Sequence, residues 1–183
     1  MKRALIFDTE TTGLVIPAET NLNKQPHIIE LGIVEIFVDN DCANINHIKS
    51  WLINPGVELT DEITKITGLK DEDLRDQLPF SGILEELISD WFLGAHILVA
   101  HNLPFDHSML LFELQRLGKE YAFPYPPKQL CTVQEFMHLE SARLKLVDLY
   151  EKVLGKKLNQ THRALDDARA LAEIVLKEGL LLK

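Results

Sequence analysis

Three aspartates, one glutamate and one histidine carry the chemistry that can be read from this chain. Asp8 and Glu10 stand two apart at the end of an apolar run, Ala4-Leu5-Ile6-Phe7. If Lys2 to Glu10 is extended, Ala4, Ile6, Asp8 and Glu10 share one face and Leu5, Phe7 and Thr9 the other. Two carboxylates side by side at a strand end repel and are costly to desolvate unless a cation sits between them. Oxygen-only ligands on a rigid strand suit a hard ion such as Mg²⁺ or Mn²⁺. Asp106 follows a short apolar stretch, Ile97 to Ala100, and lies in the first turn of a helix opened by Pro104. That position serves the helix dipole or a site at a strand end.

Asp166 and Asp167 compete for a third position. Helical phase separates them: Asp167 shares a face with Ala164, Ala168, Leu171 and Val175, whereas Asp166 goes with Arg169, Glu173 and Lys177. An aspartate aimed inward between alanines needs a partner. His162 stands at the start of the same helix, as a polar first-turn residue or as a general base.

The elements that must position these groups follow from pattern. His27 to Val38 is apolar on both faces, as in a central strand. Asp39-Asn40-Asp41 is a turn, and Ile45 to Ile53 a third strand antiparallel to it. Leu14 to Gln25 reads as a loop. Helices are predicted at Thr60–Thr67 with Thr60 as cap, Ser81–Phe92, Pro104–Leu117, Thr132–Leu139, Leu146–Leu154 and His162–Glu178. Ile97–Ala100 and a weak Gln129–Cys131 complete the strands. Strands first, then strands interleaved with helices, predict a mixed sheet covered on both faces.

Composition narrows the function classes. With 183 residues the chain suits one domain spanning 1–183. Its net charge of -9 argues against broad electrostatic wrapping of nucleic acid, though not against grip through metal ions. Two cysteines without a Cys-x-x-Cys argue against a disulfide framework or a thiolate zinc site and fit a reducing cytoplasm. The N-terminal apolar run is too short for a signal peptide or membrane span.

FDTETTGL, HNLPFD and HRALDDA, in that order, resemble the three motifs of the DEDDh 3′–5′ exonucleases. This is the group of the proofreading epsilon subunit of DNA polymerase III, RNase T and oligoribonuclease. The resemblance implies an α/β, ribonuclease H-like fold: a five-stranded mixed sheet flanked by helices. It implies two divalent ions, Mg²⁺ or Mn²⁺, held by Asp8, Glu10, Asp106 and Asp167, with His162 as general base. The implied activity releases nucleoside 5′-monophosphates from the 3′ end of single-stranded DNA, in proofreading or repair, with RNA as the alternative substrate.

By the same resemblance, backbone groups at Glu10-Thr11-Thr12 and the side chain of Leu14 meet the terminal nucleotide. Phe105 presses on its sugar or base, or packs into the core. Asn102 bonds a phosphate, or only caps the helix at Pro104. Many relatives carry a histidine just before the glycine of the segment preceding motif two, where this chain has Thr67 before Gly68. Arg143, Lys145, Lys156, Lys157 and Arg163 are the candidates for holding the rest of the strand. The chain ends soon after its last helix, which points to a free-standing exonuclease, or one that meets a DNA polymerase through its own surface. A scaffold on a retired exonuclease fold and a small-molecule phosphoesterase are the rivals outside nucleic-acid cleavage.

Overall fold

The computed structural model describes residues 2–139 and 143–182. Five strands form one sheet in the order β3-β2-β1-β4-β5. These are β1 (Lys2–Thr11), β2 (Ile28–Asp39), β3 (Cys42–Leu52), β4 (Ile97–Ala100) and β5 (Lys128–Cys131). The first three are antiparallel neighbours, whereas β4 runs parallel to β1 and β5 parallel to β4. The sheet is therefore mixed, and β1 sits at its centre.

The alternation along β1 divides the core. Leu5 and Phe7 enter one cluster with Phe92, Met109, Leu110 and Leu114. Ala4 and Ile6 enter the other with Leu149, Ala168, Leu171 and Val175. One face is thus covered by α3 (Phe80–Glu86) and α4 (Leu103–Arg116), the other by α6 (Leu146–Leu154) and α7 (Ala164–Lys177). Among the described residues no helix is long and apolar enough to cross a membrane.

Several boundaries differ from the sequence pattern. The helix expected over Ser81–Phe92 is α-helical only to Glu86 and π-helical over Leu87–Phe92. Arg3 donates to the carbonyls of Asp90, Trp91 and Leu93, so the carbonyls at the end of that widened turn have a partner from β1. Strand β3 starts at Cys42 rather than Ile45, because the Asn40-Asp41 turn is tight, with Asn40 at φ 46°. The helix expected over Thr132–Leu139 stops at Glu135 (α5, Thr132–Glu135). A short helix, α2 (Asp71–Leu74), follows α1 (Asp61–Thr67). Thr60 caps α1 by accepting from the Ile63 amide, 3.3 Å away.

Gly32 on β2 lets α7 approach. A Cβ there would lie 2.4 Å from the Leu165 nitrogen and 2.5 Å from the Ala164 carbonyl carbon. Both are backbone atoms, so relief requires moving the helix. Gly32→Ala is expected to destabilise the protein by about 2–3 kcal/mol or more, since overpacking against backbone has no rotamer escape. Chemical denaturation of the variant checks this.

Candidate active site

The polar end of β1 gathers side chains from both faces of the sheet. Asp8 and Glu10 project from the face that α7 covers. Asp106, in the first turn of α4, reaches the site from the other face and is 2% exposed. It is held by Thr9, whose amide and hydroxyl donate to Asp106 Oδ1 at 3.0 and 2.8 Å. Asp167 is buried on the inner face of α7, while Asp166 is exposed, the arrangement that helical phase separates in the sequence. Gln160 donates to Asp167 Oδ2 at 2.5 Å.

His162 differs from expectation. The helix begins at Ala164, so His162 lies in the preceding loop, exposed and left-handed at φ 52°. Ligand atoms of Glu10, His162 and Asp167 nevertheless all lie within 4.8 Å of one another.

The electrostatics of this cluster are unfavourable without a counter-charge. Burial pushes the Asp8 carboxyl well above its usual range, and Asp106, Asp167, Glu10 and Glu30 push it further. Glu10 is raised to about 8 by burial and then by Asp167, Glu30 and Asp106, with Arg163 opposing. Burial raises Asp106 to about 7 against the two bonds from Thr9 and the charge of Arg143. Asp167 is also raised by burial, opposed by Gln160 and His162. Four buried or half-buried carboxylates, all raised by burial and with Asp8 and Glu10 raised further by their neighbours' charge, offer only oxygen and fit a hard divalent cation.

Two clefts flank the cluster. One, of about 600 Å³, is lined by Thr11, Thr12, Gly13, Leu14, Ile63, Ile66, Thr67 and Phe105 among others. It brings together five of the six residues expected to meet the terminal nucleotide: Glu10, Thr11, Thr12, Leu14 and Phe105. Leu14 is 79% exposed there, an apolar side chain open to the cleft. The Thr67 hydroxyl donates to the Ile63 carbonyl and accepts from the Leu69 amide, so it is spent on its own turn. Asn102 lies outside the residues that line either cleft. It occupies the N-cap of α4 at φ 70°, but its side chain makes no capping bond.

The second cleft, about 430 Å³, joins Asp8, His162 and Asp167 to His101, Arg143, Lys145 and Gln160. His101 ties its wall together, bonding Thr132 Oγ1 at 2.9 Å and the Leu144 carbonyl at 3.0 Å. Of the five cations expected to hold a strand, only Arg143 and Lys145 line this cleft. Arg163 is instead turned onto β2, where it forks Glu30 at 2.8 and 3.1 Å. Lys156 is 2.9 Å from Glu173 and sits over the Tyr150 ring.

Thr9, Glu30, Gly32 and Gln160 are positioning groups that the sequence pattern did not single out. Glu30 left one signal: it and Glu35 are the two acidic residues inside the otherwise apolar run His27 to Val38.

The family described as RNase_T, Exonuclease, matches residues 5–175. The chain is 32% identical over 175 residues to the DNA polymerase III subunit epsilon of Rickettsia typhi, covering 94% of this chain and 72% of that protein. It is 29% identical over 171 residues to the PolC-type DNA polymerase III of Clostridium perfringens, covering 93% of this chain and 11% of that one. The chain thus spans about a tenth of the length of the PolC-type polymerases it matches. Among solved structures, the nuclease domain of 3′hExo, a DEDDh family member bound to rAMP, has a TM-score of 0.74 at 19% identity, covering 98% of this chain and 92% of that one. Exonuclease X in complex with 5′ overhanging duplex DNA has a TM-score of 0.60 at 23% identity, covering 98% and 93%. The fold is ribonuclease H-like, and the chain belongs to the DEDDh 3′–5′ exonuclease family.

Proposed function

We propose that residues 1–183 form one exonuclease domain that removes nucleotides from the 3′ end of single-stranded DNA and releases nucleoside 5′-monophosphates. The observation that carries this reading is the convergence of Asp8, Glu10, Asp106, Asp167 and His162 between two clefts. Members of the family generally use divalent metal ions, and the four carboxylates would hold Mg²⁺ or Mn²⁺. Bound cations would neutralise charge building on the phosphate and acidify the attacking water. The water oxygen bonds to phosphorus as His162 takes its proton at a ring nitrogen, and the phosphorus–O3′ bond to the penultimate nucleotide breaks, the leaving O3′ taking a proton from solvent. Thr9 keeps Asp106 ionisable and aimed at the site. The apolar cleft with Leu14 and Phe105 receives the terminal nucleotide and excludes water from it.

DNA is favoured over RNA by the relatives. Those at 29–32% identity are parts of DNA polymerase III, whereas a 3′-exonuclease structure with histone mRNA stem-loop is 20% identical. The same relatives support a role beside a DNA polymerase, and a cytoplasmic location belongs to the same proposal. Matched 5′-labelled DNA and RNA strands, incubated with Mg²⁺ or Mn²⁺ and with chelator, test the reading. A metal-dependent ladder shortening from the 3′ end, faster on DNA, is expected. Faster RNA shortening would reverse the substrate, and no shortening of either would remove the reading.

Arg143 and Lys145 are the cations that face the strand in this proposal. Changing both to alanine is expected to raise KM by about tenfold and reduce the salt slope of strand binding by about 1–2. Binding titrations between 50 and 200 mM salt, the range over which such contacts weaken, check this.

A further inference from the structure

We infer that Arg163 is a positioning residue for His162, and that β2 supplies the seat on which it works. The inference rests on the proposed role of His162. Three observations meet at this point.

The first is backbone strain at His162. A left-handed non-glycine residue is held only where its surroundings over-determine it. The second is that both flanks of His162 are pinned to different elements. Before it, Thr161 Oγ1 donates to Asp166 at 2.8 Å and Gln160 donates to Asp167. After it, Arg163 forks Glu30, and the Ala164 amide donates to the same carboxylate at 3.3 Å. The Arg163 carbonyl accepts the first helical bond of α7, from the Asp167 amide at 3.0 Å. Arg163 is therefore the N-cap residue, yet its own side chain does not cap the helix. Glu30 does so from another strand.

The third observation is register. Glu30 lies opposite Glu10 and Gly32 lies opposite Asp8. In an antiparallel pair these side chains share a face. Glu30 clamps the residue after His162, while the missing Cβ of Gly32 admits the backbone of 164–165. The two β2 residues thus fix the start of α7 directly beside the carboxylates of β1. Glu30 is 2% exposed and takes a fourth bond, from Ser50 Oγ at 3.0 Å, so the anchor itself is rigid. A strand-binding arginine would line a cleft; this one is bound to Glu30 and lines neither.

Arg163→Ala would strand the buried Glu30 and endanger the fold. Arg163→Lys keeps the charge and loses the fork, and Glu30→Gln disturbs the same contact from the other side. Each is expected to lower kcat by roughly tenfold to a hundredfold, because a misplacement near 1 Å costs that much. KM should move by less than about threefold. In a His162→Ala background the same substitutions should change kcat by less than about twofold, as expected for residues that act as a unit. Backbone amide exchange in the metal-free protein gives a second readout. Amides of 163–166 should exchange about tenfold faster in Arg163→Lys, with 168–176 unchanged.

A raised KM with kcat intact would make Arg163 a strand contact and overturn the inference. So would equal losses of kcat with and without His162, or unaltered amide exchange. A parent protein that cleaves neither DNA nor RNA would instead sink the proposed function, and the exchange readout would still decide the positioning.

Discussion

Replacing His162 with alanine lowers the single-turnover cleavage rate by about 10²–10⁴-fold, the usual worth of general-base help, while Mn²⁺ binding is retained. The geometry makes this a sharp test. The ring lies within reach of Glu10 and Asp167, close enough to ligate a cation as well as to accept a proton. As a ligand its loss would weaken Mn²⁺ affinity together with rate. As a base its loss would leave affinity alone, because four carboxylates remain to hold the charge. The exposure of His162 favours the second outcome, since a base must hand its proton on to solvent. Calorimetric Mn²⁺ titration of parent and variant, beside single-turnover rates, separates them. A parallel fall in both would reassign the ring to the metal.

Asp8→Asn is expected to remove activity and at the same time stabilise the metal-free protein. Asp8, Glu10, Asp106 and Asp167 are all raised in the folded state, Asp106 to about 7 and Glu10 to about 8. In the unfolded chain such groups titrate near 4. Between those limits the folded protein binds more protons than the unfolded one, so its stability falls as pH rises. In chelator, Tm should decline steadily from about pH 5 towards pH 8. Asp8→Asn removes one of the repelling charges and should raise Tm at pH 8 by roughly 2–8 °C, corresponding to about 1–2 kcal/mol. The gain should shrink towards pH 5, where the parent's carboxyls are protonated. Saturating Mn²⁺ should reverse the order, stabilising the parent far more than the variant. Thermal melts across pH with and without metal provide the check, and a parent Tm that ignores pH in chelator would contradict the account.

The sequence disclosed the carboxylates better than it disclosed what holds them. Asp8, Glu10 and Asp167 were legible because period-2 and period-3.6 patterns place them on definite faces, among apolar or small neighbours. Four strands of the sheet were legible for the same reason, whereas β5 was read only weakly because its four residues carry little pattern of their own. Arg163 reads as a candidate strand contact because loop cations usually face solvent, and its ion pair was hidden because Glu30 lies 133 positions away. The left-handed turn at His162 was hidden as well: helical phase runs smoothly through it, and no glycine marks the break. Thr9 looked like the apolar side of a strand, since only its contact with α4 reveals a donor pair for Asp106. Periodicity reports the face a residue occupies; it is silent on which distant element meets that face.

The order in which the chain emerges gives the placement of α7 a further meaning. Residues 8–10 and 106 are synthesised well before Ala164–Lys177, which carries Asp167 and closes over β2. Before that helix arrives, the seat at Glu30 and Gly32 is open and the cluster lacks a carboxylate and its fixed histidine. A partly made chain would therefore hold its nucleic-acid-cutting apparatus dismantled. Under the proposed function, the docking of α7 on β2 and the assembly of the cutting cluster are the same event.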